Sequence, residues 1–352
     1  MLPDLAGETL AETSTIKGGI VRIRLLRILA LFALVSCSET ATDSDTTSET
    51  PTASTSAPPE AAGPLDDRGD LELVETDVSF TELEGPQWDA DQGVLFFSDV
   101  GANTVYQLGA DGQITVFRKP SRFANGLALD AEGRLLAAEA GAREVTRTEA
   151  DGTVHAIASR FHGARLNQPN DIAVRSDGTI YFTDPTFGDA ESTAELDFRG
   201  VFRITPDGKL MAEHRGDTTE APNGVVLSPD ERLLYVSDYV ANAVRVFDVA
   251  ANGSLSDARP LADVAGPDGV AVDEVGNLYV ASYDGGAVQV FTPDGESAGT
   301  INMPESPSNC AFGGDDLRTL YITTGTGLYR TTLAAPGLPR PAGRSPEAAE
   351  CR

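Results

Sequence analysis

Six polar residues recur along this chain, each opening a unit of the same layout: Glu84 in EGPQWD, Asn125 in ANGLALD, Asn170 in PNDIAVRSDG, Asn223 in PNGVVLSPD, Asp268 in PDGVAVD and Asn309 in SNCAFGGDD. The successive gaps are 41, 45, 53, 45 and 41 residues. Repeats of this length assembled from short strands are the mark of a β-propeller blade, which cannot bury its faces alone and stacks against its neighbours. Blades stand radially about one axis, so equivalent residues form a ring. Here that ring consists of side-chain carboxylates and amides. Two carboxylates and several amide oxygens around a closed cavity suit a hard divalent cation. One repeat therefore predicts both a fold and a candidate metal site.

Within each unit an apolar alternating run follows the polar residue, as in Gly126-Leu127-Ala128-Leu129. A tight turn comes next: DAEG at 130–133, RSDG at 175–178, SPDE at 228–231 and DEVG at 273–276. Asp, Gly and Pro supply the backbone angles such turns need. Runs rich in β-formers follow, such as Ile180-Tyr181-Phe182-Thr183 and Leu234-Tyr235-Val236. A third strand and a short fourth complete the unit. No window reads as a long amphipathic helix. The expectation is an all-β, six-bladed propeller with four-stranded antiparallel blades and a central metal-binding tunnel, spanning 71–333. The last unit ends near Thr332 with three clear strands. Leu71–Glu82 is expected to supply its missing outer strand and so close the ring.

Ahead of this domain lies a processing segment, 1–36. Arg22, Arg24 and Arg27 precede an apolar run, Ile28–Val35, that is too short to span a bilayer. It ends in Leu34-Val35-Ser36-Cys37, which resembles the lipobox of bacterial lipoproteins. That resemblance implies acylation of Cys37 and a lipid anchor there as the sole attachment to membrane. Ser38 in the next position implies outer-membrane sorting within the cell envelope. Residues 1–20 fit no signal pattern, which leaves room for a start near Val21. From 37 to 70 the chain is rich in Ser, Thr, Pro and acidic residues, a composition that cannot bury a core and reads as a flexible tether. The tail 334–352, rich in Pro and Ala, is expected to be disordered. The net charge of −28 repels nucleic acid and anionic membrane surfaces. Cys310 reads as a packed thiol on an inner strand, with a disulfide to Cys351 as the alternative.

At these motifs the chain resembles the gluconolactonase/regucalcin (senescence marker protein) family of six-bladed propellers, bacterial members above all. The matching stretches are EGPQW at 84–88, ANGLALDAEGRLL at 124–136, NQPNDIAVRSDGTIYFTDPTFG at 167–188, PNGVVLSPDERLLYVSD at 222–238, PDGVAVDEVGNLYVAS at 267–282 and NCAFGGDDLRTLYIT at 309–323. The resemblance implies one divalent metal in the tunnel, usually Ca²⁺, with Zn²⁺, Mn²⁺ or Mg²⁺ as substitutes. Its ligands would be Glu84, Asn170, Asn223 and Asp268, and Asp268 would also serve as general base. Chemistry agrees: two carboxylates would neutralise the ion, and open positions would remain for water and substrate. The implied activity is calcium-dependent opening of sugar lactones. Hydrolysis of another ester or a phosphotriester, and a non-catalytic ligand-binding propeller, are the alternatives. The protein is expected to act as a monomer.

Asn125 and Asn309 complete the ring and are expected at the pocket wall. Further wall residues are expected in the loops after each second strand: Phe187 in the long segment 185–200, which could form a lid, and Tyr239 and Tyr283 in equivalent loops. Animal members of the family carry a substrate-contacting Arg two positions before the residue matching Asn170; here that position is Gln168, which the resemblance implies as a substrate-binding residue without the charge, so the family's specificity for a charged sugar acid need not carry over. The pairs Ser98-Asp99, Thr183-Asp184 and Ser237-Asp238 read as strand-end hydrogen-bonding devices. Gly295-Glu296-Ser297-Ala298-Gly299 matches G-x-S-x-G but follows a hairpin turn with no helix, so it is not a nucleophile elbow. His155, His162 and His214 show no zinc-ligand spacing.

Overall fold

The computed structural model describes residues 63–340. Cys37, the processing segment, most of the expected tether and the end of the tail, including Cys351, lie outside the described residues. Among the described residues no helix is long and apolar enough to cross a membrane.

Six four-stranded antiparallel sheets follow one another along the chain. The first four start at Leu83–Asp89, Ala124–Leu129, Ile172–Val174 and Pro222–Leu227. The last two start at Pro267–Val272 and Pro307–Gly313. These first strands touch one another in cyclic order, the sixth meeting the first, and so surround the axis. Glu72–Leu73 pairs antiparallel with Leu328–Thr332 and completes the sixth sheet from the N-terminal side. The expected closure is therefore present. It is reinforced where the Ser308 hydroxyl donates to the Leu83 carbonyl at 2.6 Å, joining the last blade to the first.

The core is divided into slabs, one between each pair of adjacent blades. Alternation along the strands explains this, because successive side chains leave opposite faces of a sheet. In the fourth blade Leu234 and Val236 pack toward the third blade with Tyr181 and Val201. Tyr235, between them in sequence, packs toward the fifth with Leu278 and Val280. The strands of a blade thus contribute side chains to the cores on both of its faces.

Two departures from expectation concern the ends. Residues 63–70, expected in the tether, already belong to the domain: Leu65 packs into the slab between blades five and six, and Gly69 N donates to Thr332 O at 2.9 Å. The tail, expected to be disordered from 334, is ordered to Arg340. Glu274 N donates to Pro336 O, Gly337 N donates to Leu317 O, and Arg340 pairs with Asp91 at 2.6 Å. The segment ties blades five and six through backbone groups and blade one through the Arg340 side chain, a link that composition does not advertise.

Candidate active site

Five of the six first strands break register just where the polar residue sits: between Glu84 and Gln87, Ala124 and Leu127, Pro222 and Val225, Pro267 and Val270, and Pro307 and Asn309. Such bulges re-aim side chains and recur beside functional sites. The residue after the polar one is Gly in four blades. A Cβ at Gly224 would stand 2.4 Å from Asp268 O, and one at Gly126 would stand 2.6 Å from Asn170 O. Glycine is required here because neighbouring backbones nearly touch at the axis.

The strand-end pairs read from the sequence hold this ring together. Ser98 Oγ donates to Asn125 O at 2.6 Å and Thr183 Oγ1 to Asn223 O at 2.5 Å. Ser237 Oγ donates to Asp268 O. Each hydroxyl thus fixes the ring residue of the next blade. The paired aspartates anchor upper loops: Asp238 accepts from Ala221 N and Ala241 N, and Asp184 accepts from Asn167 N. These residues are structural, as the sequence reading expected.

Glu84, Asn170, Asn223, Asp268 and Asn309 are all buried. Asn309 Nδ2 donates to Glu84 Oε2 at 3.3 Å, as does Gly85 N at 3.2 Å. Asn223 hydrogen-bonds the Asp268 side chain. Asn170 is tied to the ring by backbone, accepting from Gly126 N and donating to Thr183 O. Asn125 is half-buried, and its Oδ1 is shielded from solvent with no partner.

A third carboxylate belongs to this ring and was missed in the sequence. Asp171 stands where four other blades have glycine. It is buried, accepting Ile172 N at 2.9 Å and Val225 N at 3.1 Å. The PND triplet resembles the turn-favouring sequences of the other blades, which hid it. Burial pushes its carboxyl up to about 7. Burial also raises Glu84, with repulsion from Asp171 next. Asp268 is raised by burial, then by Glu84 and Asp171. The charged groups that press on Glu84 and Asp268 are thus themselves carboxylates, Glu82 among them.

That electrostatic conflict, together with the unpartnered Asn125 Oδ1 and an all-oxygen donor set, fits a hard divalent cation. Among the described residues no group of three or more His, Cys, Asp or Glu side chains is arranged as a metal cage. The candidate set is of another kind, two carboxylates supplemented by amides.

Around the mouth, Gln168 does not face out as a free substrate group. Its Oε1 accepts Phe187 N at 2.5 Å and holds the long loop. The loop contains a 3-10 turn, Gly188–Thr193, and is tied down by Arg199 to Glu191 and Thr186 and by Arg143 to Thr193 O. Phe187 meets Tyr239 edge-on at 6.0 Å between centroids. Tyr239 Oη donates to Asp284 Oδ1 at 3.4 Å. Tyr283 is exposed in the corresponding loop of the next blade. Below the ring the tunnel continues as a cavity of about 420 Å³ lined by Leu127, Val225, Val270 and Ala311, reaching Leu338 of the tail.

Other sequence signals lie elsewhere. Ser297 begins the exposed outer strand Ser297–Asn302. His162 sits with φ 50° in the turn of the small hairpin formed by Arg160–Phe161 and Ala164–Arg165. His214 Nε2 bonds Glu220 Oε2 on the outer strand of blade three. Cys310 is a buried free thiol, 3.4 Å from Tyr279 O.

The family signature described as "SMP-30/Gluconolactonase/LRE-like region" matches residues 83–326, and the chain belongs to that family. It is 33% identical over 299 residues to a gluconolactonase of Zymomonas mobilis subsp. mobilis, covering 76% of this chain and 82% of that one. A solved structure of a gluconolactonase from Xanthomonas campestris superimposes with a TM-score of 0.70 at 36% identity, over 77% of this chain and 91% of the other. The calcium-binding protein regucalcin from Agrobacterium tumefaciens shares the fold, with a TM-score of 0.67 at 20% identity, over 79% and 98%.

Proposed function

We propose that this protein is a metal-dependent lactonase that opens sugar lactones, such as aldonolactones, to their acids. The observation that carries the reading is the ring of buried, mutually repelling carboxylates and amides at the axis of a gluconolactonase-family propeller. Glu84, Asn170, Asn223 and Asp268 would hold the cation, with calcium the first candidate. A divalent ion bound there supplies Lewis-acid polarisation of a carbonyl oxygen. Asp268 takes the proton from the attacking water as general base. Asn223, bonded to Asp268, orients that carboxylate. Asn309 holds Glu84 in place, and Asn125 Oδ1 offers a further acceptor toward water or substrate. Monomeric action, and anchoring in the cell envelope through acylated Cys37, belong to the same reading.

The deciding experiment follows proton release from a panel of aldonolactones, with spontaneous opening subtracted, in calcium and after chelation. Turnover that disappears on chelation and returns with calcium supports the proposal. A protein that binds calcium yet turns over no lactone is not a sugar lactonase.

A further inference from the structure

In blades one, two, four and five the uppermost rung, just above the polar ring, pairs the residue two positions before the ring residue with the first residue of the loop after the second strand. Backbone hydrogen bonds define it: Ala140 N to Phe123 O in blade two, Tyr239 N to Ala221 O in blade four, and Tyr283 N to Gly266 O in blade five. In each of these rungs one partner is aromatic and the other small. Blades four and five place the aromatic on the loop, as Tyr239 and Tyr283. Blade two places it on the strand side, as Phe123.

That placement is costly to the backbone. Position 266 of blade five is left-handed, with φ 52°, and it is a glycine. The equivalent position in blade two has φ 58°, yet it carries a phenylalanine, and its neighbour Arg122 has φ 60°. A bulky side chain in this region is a genuine outlier. The side chain is 46% exposed and lies against Gly141, so it is not held by burial in a core. The conformation is imposed from outside: Phe123 N donates to Asn103 Oδ1 at 2.9 Å, and Arg122 is paired with Glu139 and Glu144. Residues forced into sparse backbone regions by their surroundings concentrate at ligand-binding sites.

Phe123, Tyr239 and Tyr283 thus stand on this rung in blades two, four and five, and Phe187 follows it in the loop of blade three, where it meets Tyr239 edge-on. The corresponding rung in blade one carries Glu82 and Val100. The arc is one-sided, and a one-sided aromatic wall over a polar floor suits a ring with an apolar C–H face and hydroxyls on its edge.

We propose that Phe123 is a specificity-determining residue that holds the substrate by the C–H face of an uncharged sugar ring, completing the arc begun by Phe187, Tyr239 and Tyr283. The inference rests on the lactonase reading for the chemistry but not for the binding. It is tested on the full chain with Phe123→Gly, which keeps the left-handed backbone and removes the ring, and with Phe123→Tyr, which keeps the ring. Two probes are used: hydrolysis of glucono-δ-lactone, and calorimetric binding of 1,5-anhydroglucitol, the same ring without a carbonyl.

Phe123→Gly is expected to raise KM, and the Kd for anhydroglucitol, about tenfold with kcat within about twofold, the signature of lost uniform binding. Its Tm should equal or exceed that of the wild type, and Phe123→Tyr should restore both constants. Unchanged KM and Kd in Phe123→Gly would overturn the arc and leave the lactonase intact. Absent lactone turnover, with anhydroglucitol bound and weakened by Phe123→Gly, would overturn the lactonase and keep the arc. A wild-type protein that neither turns over the lactone nor binds the probe would overturn both.

Discussion

The upper and lower halves of the central tunnel are built from the same six strands and have opposite chemistry. The upper half presents Glu84, Asp171, Asp268 and the asparagines, buried and in mutual conflict. A few residues further along the same strands, the lower half is lined by Leu127, Val225, Val270 and Ala311, with the tail crossing it at Leu338. The lower half is an open cavity with largely apolar walls. In the upper half burial raises carboxylate proton affinity, which marks a site that stores unfavourable electrostatics for a ligand to relieve. A bulge at the start of most first strands separates the two, because it turns the polar residue toward the axis and lets the remaining residues resume the alternation that packs blade on blade.

The largest effect is expected from cancelling the conflict. Asp268→Asn should lower lactone turnover by about a thousandfold, since it removes both a charge from the cation site and the general base. Its Tm in chelator should rise or hold, because repulsion with Glu84 is relieved. Lost activity with a collapsed Tm would instead show that Asp268 is needed for the fold.

Next comes the boundary between the halves. A Cβ at Gly224 would lie 2.4 Å from Asp268 O, so Gly224→Ala should destabilise by about 1–3 kcal/mol, measured by urea unfolding. Gly112→Ala serves as the contrast, since no atom lies within 4 Å of a Cβ there and only its φ of +78° opposes the change.

A smaller effect should appear with pH. Burial raises Asp184 to about 7, against an ordinary value of 3.8. Between those values the folded chain keeps a proton that the unfolded chain has released. Stability should therefore fall as pH rises through this window and level off above about 7, by at most about 1.4 kcal/mol per pH unit. Asp184→Asn should flatten the corresponding part of a Tm–pH curve recorded in chelator; an unchanged slope would assign the effect to the ring.

The smallest effect is expected at the lower mouth. Arg340→Ala breaks a pair with Asp91, which is 72% exposed, and a longer one of 3.9 Å with buried Asp89, so the loss should stay at about 1 kcal/mol with activity unaltered. A change in lactone KM in this variant would show that the two halves communicate.

Much of this was legible in the residues. The spacing of Glu84 to Asn309 announced six blades, and the alternation at Leu71–Glu82 announced the closing strand. The Ser/Thr-Asp pairs declared themselves as structural by recurring at one strand position. Asp171 escaped because an acidic residue after asparagine reads as a turn. Its role depends on a backbone close approach that four glycines permit and one carboxylate exploits. Gln168 matches a substrate-contact position of the family, yet here its amide oxygen is spent on the Phe187 backbone, a long-range bond that the local sequence does not announce.

The blade count, the strand order and the polar character of the axis can be read from the repeats alone. All three follow from local periodicity, and each repeat states them again. The tertiary structure decided which groups act on one another: three carboxylates from blades one, three and five converging at the axis, a phenylalanine held where a sister blade has glycine, and a tail stitched across three blades. These depend on distances between residues far apart in the chain. The burial that raises the carboxylates arises only once the ring has closed, and the hydrogen bond to Asn103 that holds Phe123 only once blades one and two have packed together.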